Sequence, residues 1–324
     1  MQGNARPPDL GPTMKLLFCG TPQFAVPALE KLIAHGHAVE LVICQPDEPA
    51  GRGYQIAAPP VKELAVRSGI PVFQPAKLKD PATVEFLSKY RPDAIVVVAY
   101  GRIIPPWLID LPRLGCVNLH ASLLPKFRGA APIQWAIMQG ERVTGATTMK
   151  IDPGLDTGEM LLVREESIRD DDTAETLAAR LSVMGADLMI ETLTGLERGE
   201  IAARPQDHSQ ATLAPILKKE DGRIDWSISA EKLSWRVRGL RPWPGAFTRF
   251  RGKNFHVWAA QPAVGAASAA EEHGTLTTEG SRLLAACGGE TRLELLEVQV
   301  EGKKRLPPRD FLNGVRLAPG EKFS

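Results

Sequence analysis

The chain has 324 residues, 44% of them hydrophobic and 24% charged, with 39 basic against 38 acidic side chains and a formal net charge of +1. That length admits two compact domains with a sizeable core, and the composition is ordinary for a globular protein. No run approaches the roughly 20 consecutive apolar residues a membrane-spanning helix needs, so a transmembrane protein is excluded and the cytoplasm is the expected compartment.

Residues 1–13 are polar and proline-bearing with no apolar stretch of a signal peptide, and read as a disordered extension; Met14, followed at once by an apolar strand, is an alternative start. From there short apolar runs alternate with amphipathic stretches, as in parallel-sheet proteins. Residues 15–19, 38–44 and 94–99 read as buried strands, and 26–35, 60–68 and 82–90 as helices. Residues 117–120 and 146–151 are further strands, with 159–163 near the sheet edge. Asp172, three residues before Glu175, opens a helix as a capping box, with Leu177, Leu181, Met184 and Leu188 on one stripe and an end near Gly195 or Gly199. Residues 203–215 have the composition of a linker. Beyond it come a helix over 225–240 and strands over 246–250, 255–259, 274–277, 282–286 and 292–298, a pattern that fits a small barrel, with 260–270 as a mobile loop. The fold class is α/β, a doubly wound and mostly parallel sheet followed by a small β-barrel. The expected domains are 14–203 and 216–324, joined by 204–215.

Four cysteines (Cys19, Cys44, Cys116, Cys287) show no Cys-x-x-Cys spacing, and three lie in or beside apolar strand-like runs. Buried free thiols fit that better than disulfides or zinc, and no metal is expected.

The most informative stretch is residues 116–134. Alternation along a strand points Asn118 and His120 the same way, at the carboxyl end of a buried strand just before a turn, where open α/β sheets place their chemistry. Taken alone, Asn-x-His is equally a polar strand end with a satisfied histidine. Asp156, in Gly154-Leu155-Asp156, has its own bland alternative, because such segments are common turn formers.

Asn118-Leu119-His120 followed by Ser122-Leu123-Leu124-Pro125, with Asp152-Pro153-Gly154-Leu155-Asp156-Thr157-Gly158 downstream, resembles the folate-dependent formyltransferases. Leu17-Phe18-Cys19-Gly20-Thr21-Pro22, the 45–53 run from Gln45 to Gly53, and Arg223-Ile224-Asp225-Trp226-Ser227 resemble the members of that family that act on methionyl-tRNA. The likeness runs from residue 14 to the end, and several separated motifs in order are more specific than any one. It implies a Rossmann-like formyltransferase domain and an oligonucleotide-binding-like barrel. The implied reaction is formyl transfer from 10-formyltetrahydrofolate to the α-amino group of methionyl initiator tRNA, for translation initiation. The protein is taken as a monomer.

Such a transfer passes through a tetrahedral intermediate and needs an oxyanion donor, a proton shuttle and a group that orders the imidazole. Asn118 offers an amide N–H, His120 can move protons near neutral pH, and Asp156 can position His120 or a bridging water. The resemblance assigns catalysis to the same three positions, and leaves open which atom takes the amine's proton. It further implies that Ser122, Leu123, Leu124 and Pro125 contact the folate, with backbone around 97–100 facing the pterin. Pro125 is also a strand terminator in its own right.

The run 46–53 has the proline and glycine composition of an exposed arm. The resemblance makes Arg52, between Gly51 and Gly53, the residue that reaches the acceptor-stem end. Counting Lys and Arg against Asp and Glu, residues 1–203 carry 20 against 24 and residues 204–324 carry 19 against 14, so the second part is basic. Residues 232–253 hold seven cations, Arg236, Arg238 and Arg249 among them, no acid, and Trp235, Trp243, Phe247 and Phe250. That composition suits an RNA backbone, and equally a solvated basic face over a small core.

A nucleotide-dependent oxidoreductase is disfavoured, because Gly20-Thr21-Pro22-Gln23-Phe24 lacks the Gly-x-Gly-x-x-Gly turn that admits a pyrophosphate. Sugar-nucleotide or glycinamide-ribonucleotide formyltransferases and formylfolate hydrolases would share the catalytic core. The Arg52 arm and the basic C-terminal part favour tRNA, and Asn118, His120 and Asp156 together argue against a non-catalytic RNA-binding protein.

Overall fold

The computed structural model describes residues 13–50, 55–265, 267–268 and 271–324. Arg52 and residues 1–12 of the expected extension lie outside the described residues. The chain forms two compact units, one from segments up to 130, 144–166 and 178–214, the other from 131–143, 167–177 and 215–324. Two segments inside the first 203 residues therefore pack with the second unit.

In the first unit the elements are β1 (Lys15–Gly20), α1 (Val26–Ala34), β2 (Ala38–Ile43), β3 (Glu48–Ala50), β4 (Gln55–Ala57), α2 (Pro60–Arg67), β5 (Val72–Phe73), α3 (Pro81–Leu87), β6 (Ala94–Val98), α4 (Pro106–Ile109) and β7 (Cys116–His120). After α5 (Pro132–Met138) come β8 (Val143–Lys150), β9 (Met160–Ser167) and α6 (Ala174–Glu197). Helices α1 to α5 each carry proline in the first turn, where the missing N–H would have no intrahelical partner.

The main sheet runs β5-β2-β1-β6-β7-β8-β9. Strands β5, β2, β1, β6 and β7 are parallel, and β8 is antiparallel to β7. Period-two alternation sorts its side chains onto two faces. Leu16, Phe18, Val96, Val98 and Leu119 pack with Leu29 of α1, Val61 of α2 and Met189 of α6. Leu17, Cys19, Ile95, Val97 and Cys116 pack with Leu87 of α3 and Leu108 of α4. Helices thus cover both faces, which is why these strands are continuously apolar. Burying side chains such as Leu16, Leu17 and Phe18, all 0% exposed, contributes roughly 1.5–3 kcal/mol each. Because β1 has β2 on one side and β6 on the other, chain order reverses there, and the crevice that open α/β sheets use for ligands falls at the carboxyl ends of β1, β6 and β7.

The second unit holds α5, α7 (Ala230–Gly239), β10 (Ala246–Phe250), β11 (Lys253–Pro262), β12 (Leu276–Glu279), β13 (Arg282–Cys287), β14 (Thr291–Val300) and α8 (Pro308–Gly314). Its antiparallel sheet runs β10-β11-β14-β13-β12. The two edges meet through the tail: Arg249 of β10 exchanges backbone bonds with Ser324 (3.0 Å each way), while Leu276 of β12 donates to Glu321 O (2.7 Å). That closure makes the sheet a small barrel around Phe250, Phe255, Val257, Leu283 and Leu295.

Some local expectations are corrected. Helix α7 begins at Ala230 rather than at 225, because Asp225 Oδ1 takes the Ser227 N–H and hydroxyl (3.0 and 2.6 Å) in a turn and Ser229 is the cap. The cap of α6 is made by Thr173 and Thr176, each hydroxyl accepting the other's backbone N–H (3.0 and 3.2 Å), while Asp172 accepts from Arg169 N (2.7 Å). Strand β11 continues to Pro262, past the expected end at 259. Residues 204–214 are fastened to the first unit, as Arg204 pairs with Met160 and Ala214 N donates to Arg128 O (2.7 Å). Among the described residues no helix is long and apolar enough to cross a membrane.

Candidate active site

The last residues of β7 project Asn118 and His120 to the sheet face that Cys116 occupies, at the crevice end. Asn118 is half-buried and aligns with Val97 of β6; no hydrogen bond joins its side chain to the described residues, so its amide is free for an outside acceptor. His120 is 6% exposed, with Nε2 2.9 Å from Phe127 O. A carbonyl only accepts, so Nε2 carries hydrogen and, in the neutral ring, Nδ1 is the bare nitrogen. Nδ1 lies 3.7 Å from Asp156 Oδ2, which also accepts from Gly129 N (2.9 Å).

Between β8 and β9 the loop divides its two aspartates by task. Asp152 makes the turn, its carboxylate taking Gly154 N (3.0 Å) and Thr157 Oγ1 (2.7 and 2.9 Å). Asp156, at φ 50°, carries its carboxylate toward Gly129 and His120 instead. Gly158 is required by space, since a Cβ there would sit 1.9 Å from Lys150 O. Gly129 is required by both conformation and space, with φ 123° and Ala214 O 2.6 Å from where a Cβ would be.

The loop after β7 departs from the sequence expectation at one residue. Ser122 is 0% exposed and its hydroxyl donates to Lys126 O (2.6 Å), while its carbonyl accepts from Thr147 Oγ1 (2.7 Å). Ser122 therefore shapes the loop and has no surface to offer a ligand. Leu124 is buried and its N–H donates to the Thr147 hydroxyl (3.2 Å); Leu123 and Pro125 are half-buried. Across the crevice, Ala99 is exposed with φ 47°, and Tyr100 O accepts from Thr21 Oγ1 (3.1 Å) and Gln45 Nε2 (2.9 Å). Val97 and Val98 are buried and paired with β1 and β7, so of the expected 97–100 backbone only Ala99 is exposed, and Tyr100 O is engaged internally.

In the second unit Arg249 is exposed and has no side-chain partner among the described residues. Arg236 and Arg238 are turned inward, against the sequence expectation. Arg236 donates to Asp221 O (2.8 Å), and Arg238 to Asp172 O (2.8 Å) and Arg169 O (3.4 Å). Both sit on an amphipathic helix whose stems cover apolar surface, so their heads find loop carbonyls before solvent. Of the aromatics in the basic 232–253 run, Trp243 is 56% exposed whereas Phe250 is 4% exposed. An outward cation missed in the sequence is Arg305, 3.5 Å over the Trp258 ring, which stacks on His256. Residues 51–54, Arg52 among them, are outside the described residues, and the segments before and after them pair as the antiparallel ribbon β3–β4.

Residues missed near the catalytic trio are Gln206, Arg128 and Thr147, all polar groups whose partners come from distant segments. Only Arg128, inside the informative 116–134 run, stood where the sequence drew attention. No three His, Cys, Asp or Glu side chains converge as metal ligands among the described residues.

Residues 14–193 match the formyl transferase family, and 216–316 match the formyl transferase C-terminal domain. The chain is 58% identical over 313 residues to the methionyl-tRNA formyltransferase of Koribacter versatilis, covering 96% of this chain and 98% of that one. It is 56% identical over 309 residues to that of Acidobacterium capsulatum, covering 94% and 98%. In fold it resembles the N-formyltransferase of Helicobacter canadensis, solved with folinic acid and dTDP-3-aminofucose, at TM-score 0.67 and 16% identity over 87% of this chain and 99% of that one.

Proposed function

The chain belongs to the methionyl-tRNA formyltransferases of the formyl transferase family, and on that premise we propose that Asn118, His120 and Asp156 carry its reaction. It transfers a formyl group from 10-formyltetrahydrofolate to the α-amino group of methionyl initiator tRNA, for translation initiation. The observation that carries the assignment is the approach of His120 Nδ1 to Asp156 Oδ2 at 3.7 Å, beside an Asn118 amide with no partner among the described residues.

The bound folate supplies an activated formyl carbon. The residues present suit it, with an unbonded amide, the exposed Ala99 and the half-buried Leu123 and Pro125 around the crevice. Asn118 donates an N–H to the formyl oxygen as negative charge develops there, the interaction that counts most in acyl transfer. His120, with Nε2–H engaged by Phe127 O, takes and returns a proton at Nδ1. Asp156 stabilises the imidazolium that results, and Gly129 N holds its carboxylate in place.

On the RNA side, Arg52 reaches the acceptor-stem end and Arg249 contacts the phosphate backbone, while Arg236 and Arg238 hold the surface that presents it. The catalytic domain spans 14–203 and the RNA-binding domain 216–324, and the protein works as a cytoplasmic monomer. The test is incubation with 10-formyltetrahydrofolate and charged initiator tRNA, scored for formylmethionine. Uncharged tRNA and an amino sugar nucleotide serve as controls, and formylation of the sugar in preference to the tRNA would overturn the reading.

A further inference from the structure

We propose that Gln206 is a positioning residue for the formyl transfer: its carboxamide holds Asp156 in the conformation that faces His120, and Arg128 holds Gln206. The proposal rests on the catalytic reading of Asp156 above.

Asp156 needs such a holder. Its φ of 50° is a left-handed conformation, uncommon for a side-chain-bearing residue and held here by contacts on both sides. The turn made by Asp152 binds Gly154 and Thr157 and leaves the Asp156 backbone untouched. Gln206 supplies what is missing. Its Nε2 lies 2.9 Å from Asp156 O and 2.7 Å from Gly158 O, so the two hydrogens of one amide clasp the chain on either side of Thr157.

The amide's orientation is fixed by its other end. Gln206 Oε1 accepts from Arg128 Nε (3.1 Å) and Nη2 (2.7 Å), two donors that only an oxygen can face, so the NH2 must face the carbonyls. Gln206 is 5% exposed and Arg128 7%, which leaves water little access to either. Arg128 Nη2 is also 3.0 Å from His208 Nδ1.

These bonds close a ring. The Asp156 carboxylate is tied to Gly129 N, the Asp156 carbonyl is tied through Gln206 to the Arg128 side chain, and Arg128 and Gly129 are neighbours in sequence. Phe127, the residue before them, accepts from His120. Residues 127–129 are thus the common reference for His120 and Asp156, with Gln206 as the link that reaches the strained backbone. A drift of about one ångström at such a link is enough to impair a reaction that depends on near-attack geometry.

Gln206→Glu separates positioning from mere support, because glutamate keeps both acceptor bonds to Arg128 but loses both donors to the Asp156 and Gly158 carbonyls. We expect Gln206→Glu to stay folded with a lowered melting temperature, since two carbonyls lose their donors, and to lower kcat about ten- to a hundredfold, with KM for folate and for charged tRNA within about twofold. The pH profile of kcat should also be displaced, since the imidazole loses its aligned partner. Gln206→Met should show the same split if it folds, and Gln206→Glu carries the test if it does not. A folded Gln206→Glu with wild-type kcat and pH profile, alongside an inactive Asp156→Ala, would overturn the proposal. A rise in either KM that accounts for the loss would overturn it too, by placing Gln206 in substrate binding. An active Asp156→Ala would instead sink the catalytic reading on which it rests.

Discussion

His120 and Asp156 face each other with Nδ1 3.7 Å from Oδ2 because one turn holds both, Phe127 O accepting from the imidazole and Gly129 N donating to the carboxylate. Catalytic alignment here is therefore a property of residues 127–129 and their supports as much as of the strand that carries His120. It also gives the ring's two nitrogens different partners, Phe127 O at Nε2 and the Asp156 carboxylate at Nδ1.

Asn118→Ala, His120→Ala and Asp156→Ala should each lower turnover by at least about a hundredfold, the usual scale for losing an oxyanion donor or a proton shuttle. Double variants should be far from additive, because all three act on one reaction centre. Steady-state kinetics on variants with native circular dichroism decides it, and near-normal turnover in any two of them would refute the assignment.

Arg249→Ala should weaken charged-tRNA binding, leave folate affinity unchanged, and reduce the steepness of the salt dependence by roughly one unit or a little less. Arg238→Ala should behave differently. Its guanidinium supports the Asp172 and Arg169 carbonyls, so its loss should appear first as a lower melting temperature. A salt series on both variants checks this, and an unchanged slope for a well-folded Arg249→Ala would place the RNA elsewhere.

Trypsin should cut first after Arg52, a glycine-flanked arginine in the proline- and glycine-rich run between β3 and β4. Saturating initiator tRNA should protect that bond. Equal cleavage rates with and without tRNA would show that the arm does not engage the substrate.

Asp93 gives the fold an acid-sensitive joint. The Lys15 backbone N–H, 2.8 Å from Oδ2, and then Arg113 hold its carboxyl below the usual aspartate value. The charged form is therefore favoured in the folded state, and its contribution is present above about pH 4 and lost as the pH falls through the lower folded value. The melting-temperature gap between wild type and Asp93→Asn should be widest near neutrality and close in acid. A gap that stays constant down to pH 3 would exclude this linkage.

No thiol should react with a disulfide reagent in the native protein. All four cysteines are buried and free, and burial pushes Cys44 up to about 11 and Cys116 and Cys287 up to about 12, with Cys19 also well above its ordinary value. Titration should count four only after unfolding, and rapid native labelling of any one would contradict the packing.

Sequence alone determined the features that depend on local chemistry. Apolar runs bounded by turns marked β1, β2, β6 and β7, because strands covered by helices on both faces have no polar side to show. Period-two alternation put Asn118 and His120 together, since nothing but strand geometry is needed for that. Tertiary structure decided the rest, wherever a polar group's role depends on partners far along the chain. Asp152 and Asp156 are alike in sequence, and only the position of Gly129 and His120 gives one the turn and the other the site. Ser122 reads as a ligand contact until Lys126 O and Thr147 close around it, and Arg236 and Arg238 read as RNA-facing until the carbonyls of Asp221 and Asp172 meet them. Gln206 lies in a stretch with a linker's composition, and its clasp on Asp156 exists only in the folded chain. Composition and periodicity report which groups avoid water, whereas hydrogen-bond partners are chosen by the fold.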